Sequence, residues 1–263
     1  MQELISAALA AGEAILKVYA RADMGSRDKP DGSPVTEADT QAETIILAAL
    51  ARTYPDMPVV AEERMAGGKA PQVKGEFFLV DPLDGTREFV SRNGDFTVNI
   101  GKIVDGAPVW GVVYAPAYGD IFVGQVGKGA RQAKVVDGAV GAWSELKVRP
   151  RPGALDIVAS RSHLSLETSA FIAKFPGARL VQAGSSLKFC RLAAGEADLY
   201  PRLSRTMEWD TAAGDAILRA AGGRVCTLDG APLTYGKRNS AHEEDFANPW
   251  FVASGPFDPW ETA

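Results

Sequence analysis

Two aspartates spaced three apart, Asp81 and Asp84, follow directly on the apolar run Phe77-Phe78-Leu79-Val80. The run reads as a short buried strand, and Pro82 and Gly85 bend the chain between and after the acids. Asp84-Gly85-Thr86 has the character of a helix opening, where unpaired N–H groups and the positive dipole end favour an anion. Acids beside an anion cradle would repel a phosphate unless cations stand between them. Two further acids sit where predicted elements meet: Glu62 after the strand Val59-Val60-Ala61, and Asp210 at the start of a helix in Glu208-Trp209-Asp210-Thr211-Ala212-Ala213-Gly214. Hard cations such as Mg²⁺ take oxygen donors, with one or two carboxylates per ion and water completing the shell. Glu62, Asp81, Asp84 and Asp210 could share such ions, with the Leu83 carbonyl as a further donor. Each acid also has an ordinary use: Asp84 and Asp210 as helix caps, Glu62 as a solvated side chain. All four together, around a Pro-Leu-Asp-Gly-Thr turn, favour a metal site.

Several elements must position these groups. Leu4, Ile5, Ala8, Leu9, Gly12, Ile15, Leu16 and Tyr19 recur at helical spacing. A Gly- and Pro-containing loop from Asp23 to Pro34 carries Lys29. A second helix is predicted over Glu37–Thr53 with Thr36 as its N-cap. Arg64 to Gly75 is predicted to be a mobile surface loop. Phe96–Val104, Pro108–Ala115 and Asp120–Val126 read as an antiparallel meander, closed by Trp143–Val148. Arg149-Pro150-Arg151-Pro152-Gly153 resists both helix and central strand, dividing the chain into an α+β half (1–150) and an α/β half (151–263). The second half alternates: strand Asp156–Ser160, helix Leu166–Lys174, strand Arg179–Ala183, helix Ser185–Ala194, strand Ala197–Tyr200, helix Asp210–Ala221, strand Arg224–Thr227.

At 263 residues and 46% hydrophobic content the chain can bury a large core. A net charge of −5 argues against a nucleic-acid polymer as partner, while a small anionic ligand received by metals or a local basic cluster is compatible with it. No run of apolar residues is long enough for a membrane span, and Met1-Gln2-Glu3-Leu4 lacks a basic segment followed by an apolar one, so no secretory signal is expected. Cys190 and Cys226 have no CxxC spacing and read as reduced, buried thiols of a cytoplasmic protein.

Asp81-Pro82-Leu83-Asp84-Gly85-Thr86 resembles the DP(I/L)DGT signature of the inositol monophosphatase-like, lithium-sensitive phosphatases. Trp209-Asp210-Thr211-Ala212-Ala213-Gly214 resembles their second signature, WDxAAG, and Glu62-Glu63 their early glutamate pair. Asn93-Gly94-Asp95-Phe96-Thr97-Val98-Asn99, Gly184-Ser185-Ser186-Leu187-Lys188 and Ala197-Asp198-Leu199-Tyr200-Pro201-Arg202 are similar to the 3′(2′),5′-bisphosphate nucleotidase branch of that family. The resemblance implies an α/β (α+β) fold, a layered αβαβα sandwich. It also implies lithium inhibition, and Mg²⁺-dependent hydrolysis of adenosine 3′,5′-bisphosphate to AMP, extending to phosphoadenylyl sulfate in sulfate assimilation.

Carried over residue by residue, Glu62, Asp81, Asp84, the Leu83 carbonyl and Asp210 would hold two or three Mg²⁺ ions. Thr86 and Glu62 would orient the attacking water. Asp39 matches an aspartate that tunes this water, although Thr36-Glu37-Ala38-Asp39 also reads as a capping box. The amides of Gly85 and Thr86 would hold the transferring phosphate. Inositol-specific relatives carry a glutamate where this chain has Pro201-Arg202, and a guanidinium there favours a second phosphate over a neutral polyol. Lys188, Ser185 and Ser186 would add to that site, and His163 would stack on or bond to adenine; capping, a solvated helix face and an ordinary surface histidine are the respective alternatives. No side-chain nucleophile is needed. An inositol-1-phosphate or fructose-1,6-bisphosphate phosphatase, an enzyme using both substrate classes, and a non-catalytic nucleotide binder remain open. Family members are often dimers, so a homodimer is an open expectation.

Overall fold

The computed structural model describes residues 2–29, 32–68, 71–160, 165–238 and 244–260. The chain opens with helix α1 (Gln2–Tyr19), a short ribbon of β1 (Arg27–Asp28) and β2 (Pro34–Val35), and helix α2 (Glu37–Thr53). Then come β3 (Val59–Ala61), α3 (Glu62–Ala66), β4 (Glu76–Asp84) and α4 (Thr86–Val90). Strands β5 (Thr97–Val104), β6 (Ala107–Ala115), β7 (Asp120–Gln125), β8 (Gly129–Val136), β9 (Ala139–Val140) and β10 (Ser144–Leu146) follow. The remainder is β11 (Asp156–Ala159), α5 (Leu166–Ile172), β12 (Arg179–Gln182), α6 (Leu187–Ala193), β13 (Leu199–Arg202), α7 (Glu208–Ala220), β14 (Arg224–Thr227) and β15 (Phe251–Ser254). None of the described helices is long and apolar enough to cross a membrane.

Two sheets result. The larger has the order β10-β8-β7-β6-β5-β4-β3, with β9 pairing β8; β3 and β4 run parallel and the rest antiparallel. The smaller has the order β12-β11-β13-β15-β14, parallel around β11 and antiparallel around β15. Period-two alternation sorts the side chains into layers. On β4, Phe78 and Val80 join α1 and α2 in one core, while Phe77 and Leu79 face the opposite way towards α6, α7 and the second sheet. On the second sheet, Val158, Tyr200 and Phe251 face that shared interior, and Ile157, Leu199 and Val252 pack with Phe171 of α5 in a third cluster. The stack is therefore helix, sheet, helix, sheet, helix, the layered αβαβα sandwich expected from the sequence.

Several boundaries differ from the sequence expectations. Strand β4 continues through both aspartates, with a register shift between Asp81 and Asp84 where Pro82 interrupts the ladder. The predicted loop from Arg64 begins inside α3. Strand β8 and the C-terminal strand β15 were not anticipated. The helix predicted from Asp210 starts at Glu208, and that predicted from Ser185 starts at Leu187.

What lets α7 reach the larger sheet is a row of glycines. Gly101 pairs with Gly111, and Gly111 with Gly124, on three adjacent strands. A Cβ on Gly111 would lie 2.3 Å from the Ala213 carbonyl oxygen, and one on Gly124 would lie 2.6 Å from Ile217 Cα. On the other side of the helix, a Cβ on Gly214 would lie 2.5 Å from the Phe189 ring. The small residues Ala212-Ala213-Gly214 thus wedge α7 between sheet and α6, fixing where its first turn points.

Gly111→Ala meets backbone rather than a yielding side chain. It is expected to lower stability in urea unfolding by about 1–3 kcal/mol; an unchanged midpoint would show that α7 does not depend on this row.

Candidate active site

Five segments converge at the end of β4. The bulge at Pro82-Leu83 buries Asp81 and Leu83 and turns Asp84 towards the smaller sheet. Gly85, at φ +91°, carries the chain into α4; a Cβ there would also meet the Asp95 carbonyl oxygen at 2.9 Å. Thr86 opens α4, and its hydroxyl lies 3.1 Å from Asp39 Oδ1 and 3.2 Å from the Leu83 carbonyl. The other oxygen of Asp39 accepts from Thr36 N at 2.8 Å and Thr36 Oγ1 at 2.7 Å. One aspartate therefore caps α2, as the capping-box reading expects, and also reaches Thr86.

Glu62 begins α3, whose N-cap Ala61 offers no side-chain acceptor. That acceptor comes from α2: Glu43 Oε2 accepts the Glu63 amide at 2.9 Å. Asp39 and Glu43, one helical turn apart, are both buried on the same face of α2. Lys29 completes this side, donating to Glu62 Oε1 at 2.7 Å and Glu63 Oε1 at 2.6 Å while only a tenth exposed. Burial opposes the Lys29 charge, but the two glutamates outweigh it and hold its pKa above the ordinary value.

Asp84 is tied to the second sheet's layer. Its Oδ2 accepts from Ser185 Oγ at 2.7 Å, Ser186 Oγ at 3.0 Å and, more weakly, Asn99 Nδ2 at 3.3 Å. Ser186 is 1% exposed, accepts from Asn99 Nδ2 at 2.9 Å, and shares its single hydroxyl proton between Asp84 Oδ2 and the Asp210 carbonyl, which lies 2.7 Å away. It braces Asp84 against α7. Asp210 is the third residue of α7, not its cap, and its Oδ2 accepts the Met207 amide at 2.8 Å.

The electrostatics show how strongly these acids feel one another. Burial pushes Asp81 well above the usual carboxylate range, and Glu62, Asp84 and Asp210 push it further. Glu62 is raised to about 7 by burial and by Glu63 and Asp39, against the pull of Lys29. Asp210 is raised to about 8 by burial, then by Asp84 and Glu62. Among the described residues no three His, Cys, Asp or Glu side chains are gathered closely enough to ligate one ion as they stand. The hydrogen bonds explain this: Lys29 draws Glu62, the serines hold one oxygen of Asp84, and Met207 holds one of Asp210. Paired carboxylates with water completing the shell still suit Mg²⁺, which keeps several waters. Among the described residues the candidate donors are all oxygens, and the raised pKa values of Glu62, Asp81 and Asp210 mark a site short of positive charge. The donor set fits a hard divalent ion.

Opposite the acids lies a cleft of about 110 Å³ lined by Asp84, Gly85, Ser185, Lys188, Arg202 and Asp210, among others. Lys188 is 5% exposed, sits over the Tyr200 ring at 5.5 Å and makes no ion pair among the described residues; burial lowers its pKa to about 8. Arg202 donates through Nη2 to the Arg205 carbonyl at 3.2 Å, but its buried Nε has no partner among the described residues. A larger hollow of about 780 Å³ between Arg205, Leu228 and Trp250 has its acids already engaged, Glu244 by Arg205 and Asp229 by Thr227, so the chemistry belongs to the smaller cleft. His163 lies outside the described residues. Cys190 and Cys226 are free thiols, and burial raises the pKa of both.

Lys29, Glu43 and Asn99 belong to this site without having been singled out. The Asp39/Glu43 spacing was a readable signal, and Asn99 pairs with Asp81 across the strands. Lys29 gave none, because its partners are distant in the chain.

A family model described as Inositol monophosphatase family matches residues 1–253. The 3′(2′),5′-bisphosphate nucleotidase CysQ of Escherichia coli (strain K12) is 42% identical over 245 residues, 93% of this chain and 95% of that protein. That of Salmonella typhimurium (strain LT2) is 42% identical over 252 residues, 95% and 98% respectively. The crystal structure of CysQ from Bacteroides thetaiotaomicron superposes with a TM-score of 0.81 at 37% identity, covering 98% of this chain and 97% of that one. With both signatures placed at one cleft, the chain belongs to the inositol monophosphatase family, whose members are metal-dependent phosphatases.

Proposed function

We propose that this protein is a Mg²⁺-dependent phosphomonoesterase that hydrolyses adenosine 3′,5′-bisphosphate to AMP, and that it also accepts phosphoadenylyl sulfate. One observation carries the reading: Asp84 and Asp210, two of the acids suited to divalent ions, share a single cleft with two cations, Lys188 and Arg202, and Arg202 Nε is buried there with no hydrogen-bond partner among the described residues. A ligand with two separated phosphates satisfies both ends. A neutral polyol would leave Arg202 Nε unpaired. The similarity to bisphosphate nucleotidases over nearly the whole chain supports the same substrate class.

In this reading the half up to residue 150 holds the reacting phosphate and the half from 151 recognises the rest of the nucleotide. Glu62, Asp81, Asp84, the Leu83 carbonyl and Asp210 hold two or three Mg²⁺ ions, which neutralise the phosphoryl charge and lower the pKa of water when bound. The remaining work falls to side chains and backbone. First-turn amides of α4 have no intrahelical acceptor, so Gly85 and Thr86 are available for the equatorial phosphate oxygens. The Thr86 hydroxyl, its proton engaged by Asp39 Oδ1, keeps a lone pair for a proton of the attacking water. Glu62 receives that water's other proton. The bond from water oxygen to phosphorus forms as the bond to the 3′ ribose oxygen breaks; that oxygen takes a proton from a solvent water, and the hydroxide so formed takes the proton held by Glu62, restoring the carboxylate. Arg202 and Lys188 hold the 5′-phosphate, with Ser185 at the cleft wall. Buried Cys190 takes no part.

Two outcomes are expected. Arg202→Glu lowers kcat/KM for adenosine 3′,5′-bisphosphate by at least about 30-fold, the scale of losing one partner of a desolvated charge pair, but leaves the activity towards inositol 1-phosphate within about threefold. Equal losses on both substrates would remove the specificity argument. The second concerns pH. Glu62 and Asp210 have folded-state pKa values of about 7 and 8, above their unfolded values near 4. A carboxyl raised in this way resists ionisation in the fold, so its unfavourable contribution begins above the unfolded pKa and is complete once pH passes the folded one. The cation-free protein therefore loses stability between about pH 4 and pH 8, and a bound cation offsets that loss. Excess MgCl₂ should raise Tm by several degrees at pH 8 and by a degree or less at pH 5; equal shifts at both would contradict the placement of the ions.

A further inference from the structure

Asp95 lies in the turn between α4 and β5, outside the acids assigned above to the metal. It is 5% exposed and bridges two distant segments. Oδ1 accepts the Tyr118 hydroxyl at 2.6 Å and Oδ2 accepts the Gly184 amide at 3.0 Å, while Asn93 Oδ1 holds the Asp95 amide at 2.9 Å. The packing around it leaves no room for adjustment. A Cβ on Gly184 would lie 2.6 Å from Asp95 Cβ and 3.0 Å from its carbonyl oxygen, and a Cβ on Gly85 would lie 2.9 Å from that same oxygen.

The residue after Gly184 is the one that matters. Ser185 has φ +52°, a left-handed conformation that a side-chain-bearing residue holds only when its surroundings dictate it. In that conformation its hydroxyl meets Thr97 Oγ1 and donates to Asp84 Oδ2 at 2.7 Å. The Gly184 amide, fixed by Asp95, is one peptide upstream. Asp84 thus presents one oxygen that is committed to serine hydroxyls and another, Oδ1, that accepts no hydrogen bond among the described residues.

We infer that Asp95 is a positioning residue: by anchoring Gly184 it locks Ser185 in the left-handed conformation, which orients Asp84 towards a divalent ion. The inference rests on the proposed function, in which Asp84 is a metal ligand. Partners that orient a ligating carboxylate are commonly worth 10- to 100-fold in metal affinity. Asp95 acts on Asp84 only through Ser185, so its effect must vanish when the Ser185 hydroxyl is gone.

The test is calorimetric titration of the full chain with Mn²⁺ in the absence of substrate, alongside thermal unfolding. Ser185→Ala should raise the Mn²⁺ Kd by roughly 10- to 100-fold and Asp95→Ala by about tenfold, with the double variant no weaker than Ser185→Ala alone. Asp95→Asn keeps the volume and one acceptor for the Gly184 amide; it should bind between wild type and Ser185→Ala, and it serves the same cycle if the alanine variant does not fold. Wild-type Mn²⁺ affinity in Asp95→Ala, or additive losses in the double variant, would overturn the inference. A wild type that binds no Mn²⁺ would overturn the metal reading and the inference with it.

Discussion

Crowding of like charge in a poorly solvated corner is the constraint around which this fold is arranged. Glu62, Asp81, Asp84 and Asp210 come from three separate elements, α3, β4 and α7, and Glu62, Asp81 and Asp210 are each pushed up by burial and by neighbouring acids. Such an arrangement disfavours folding unless positive charge enters it. Lys29 provides part of that charge from within the chain by bridging Glu62 and Glu63, and hydroxyl and amide donors hold the outer oxygens of Asp84 and Asp210. Asp84 and Asp210 line one cleft at the end of β4, with Asp81 buried behind them. A hard cation is the natural complement.

Holding four repelling groups together takes rigid support. The glycine row on β5, β6 and β7 lets α7 press its backbone against the sheet, so that Asp210 arrives at the end of β4 with little freedom. On the opposite face α2 supplies Asp39 to Thr86 and Glu43 to the start of α3, steadying both sides of the acid cluster from a single helix. The second sheet's layer contributes Ser185 and Ser186, which grip Asp84. The recurrent small residues of Trp209-Asp210-Thr211-Ala212-Ala213-Gly214 are therefore a packing requirement that serves the chemistry: Ala213 and Gly214 are small because sheet and α6 leave no room on either side.

Much of this was legible in the chain. Phe77 to Val80 could be read as a strand because it is buried on both faces and therefore uniformly apolar, and the two acid-bearing signatures marked the site. What was not legible depends on distant partners or diluted patterns. Strand β8 (Gly129–Val136) is half-exposed, and its buried positions Ala130 and Ala133 are too small to give a clear apolar alternation, so its periodicity is faint. Helix α3 has five residues and no local cap; its Glu63 amide is received instead by Glu43 of α2. Lys188 reads from the sequence also as part of a solvated helix face, yet its neighbours Leu187, Phe189, Cys190, Leu192 and Ala193 are buried and leave Arg191 as the exposed polar residue of α6. The burial of Lys188 follows from them.

The central claim, that these four acids jointly hold divalent ions, is tested most directly by anomalous diffraction from crystals grown with Mn²⁺. The account predicts anomalous peaks in direct contact with Asp81, Asp84, Asp210 and Glu62, beside the Leu83 carbonyl. Manganese found only at isolated surface carboxylates, with the cleft at the end of β4 free of signal, would contradict it.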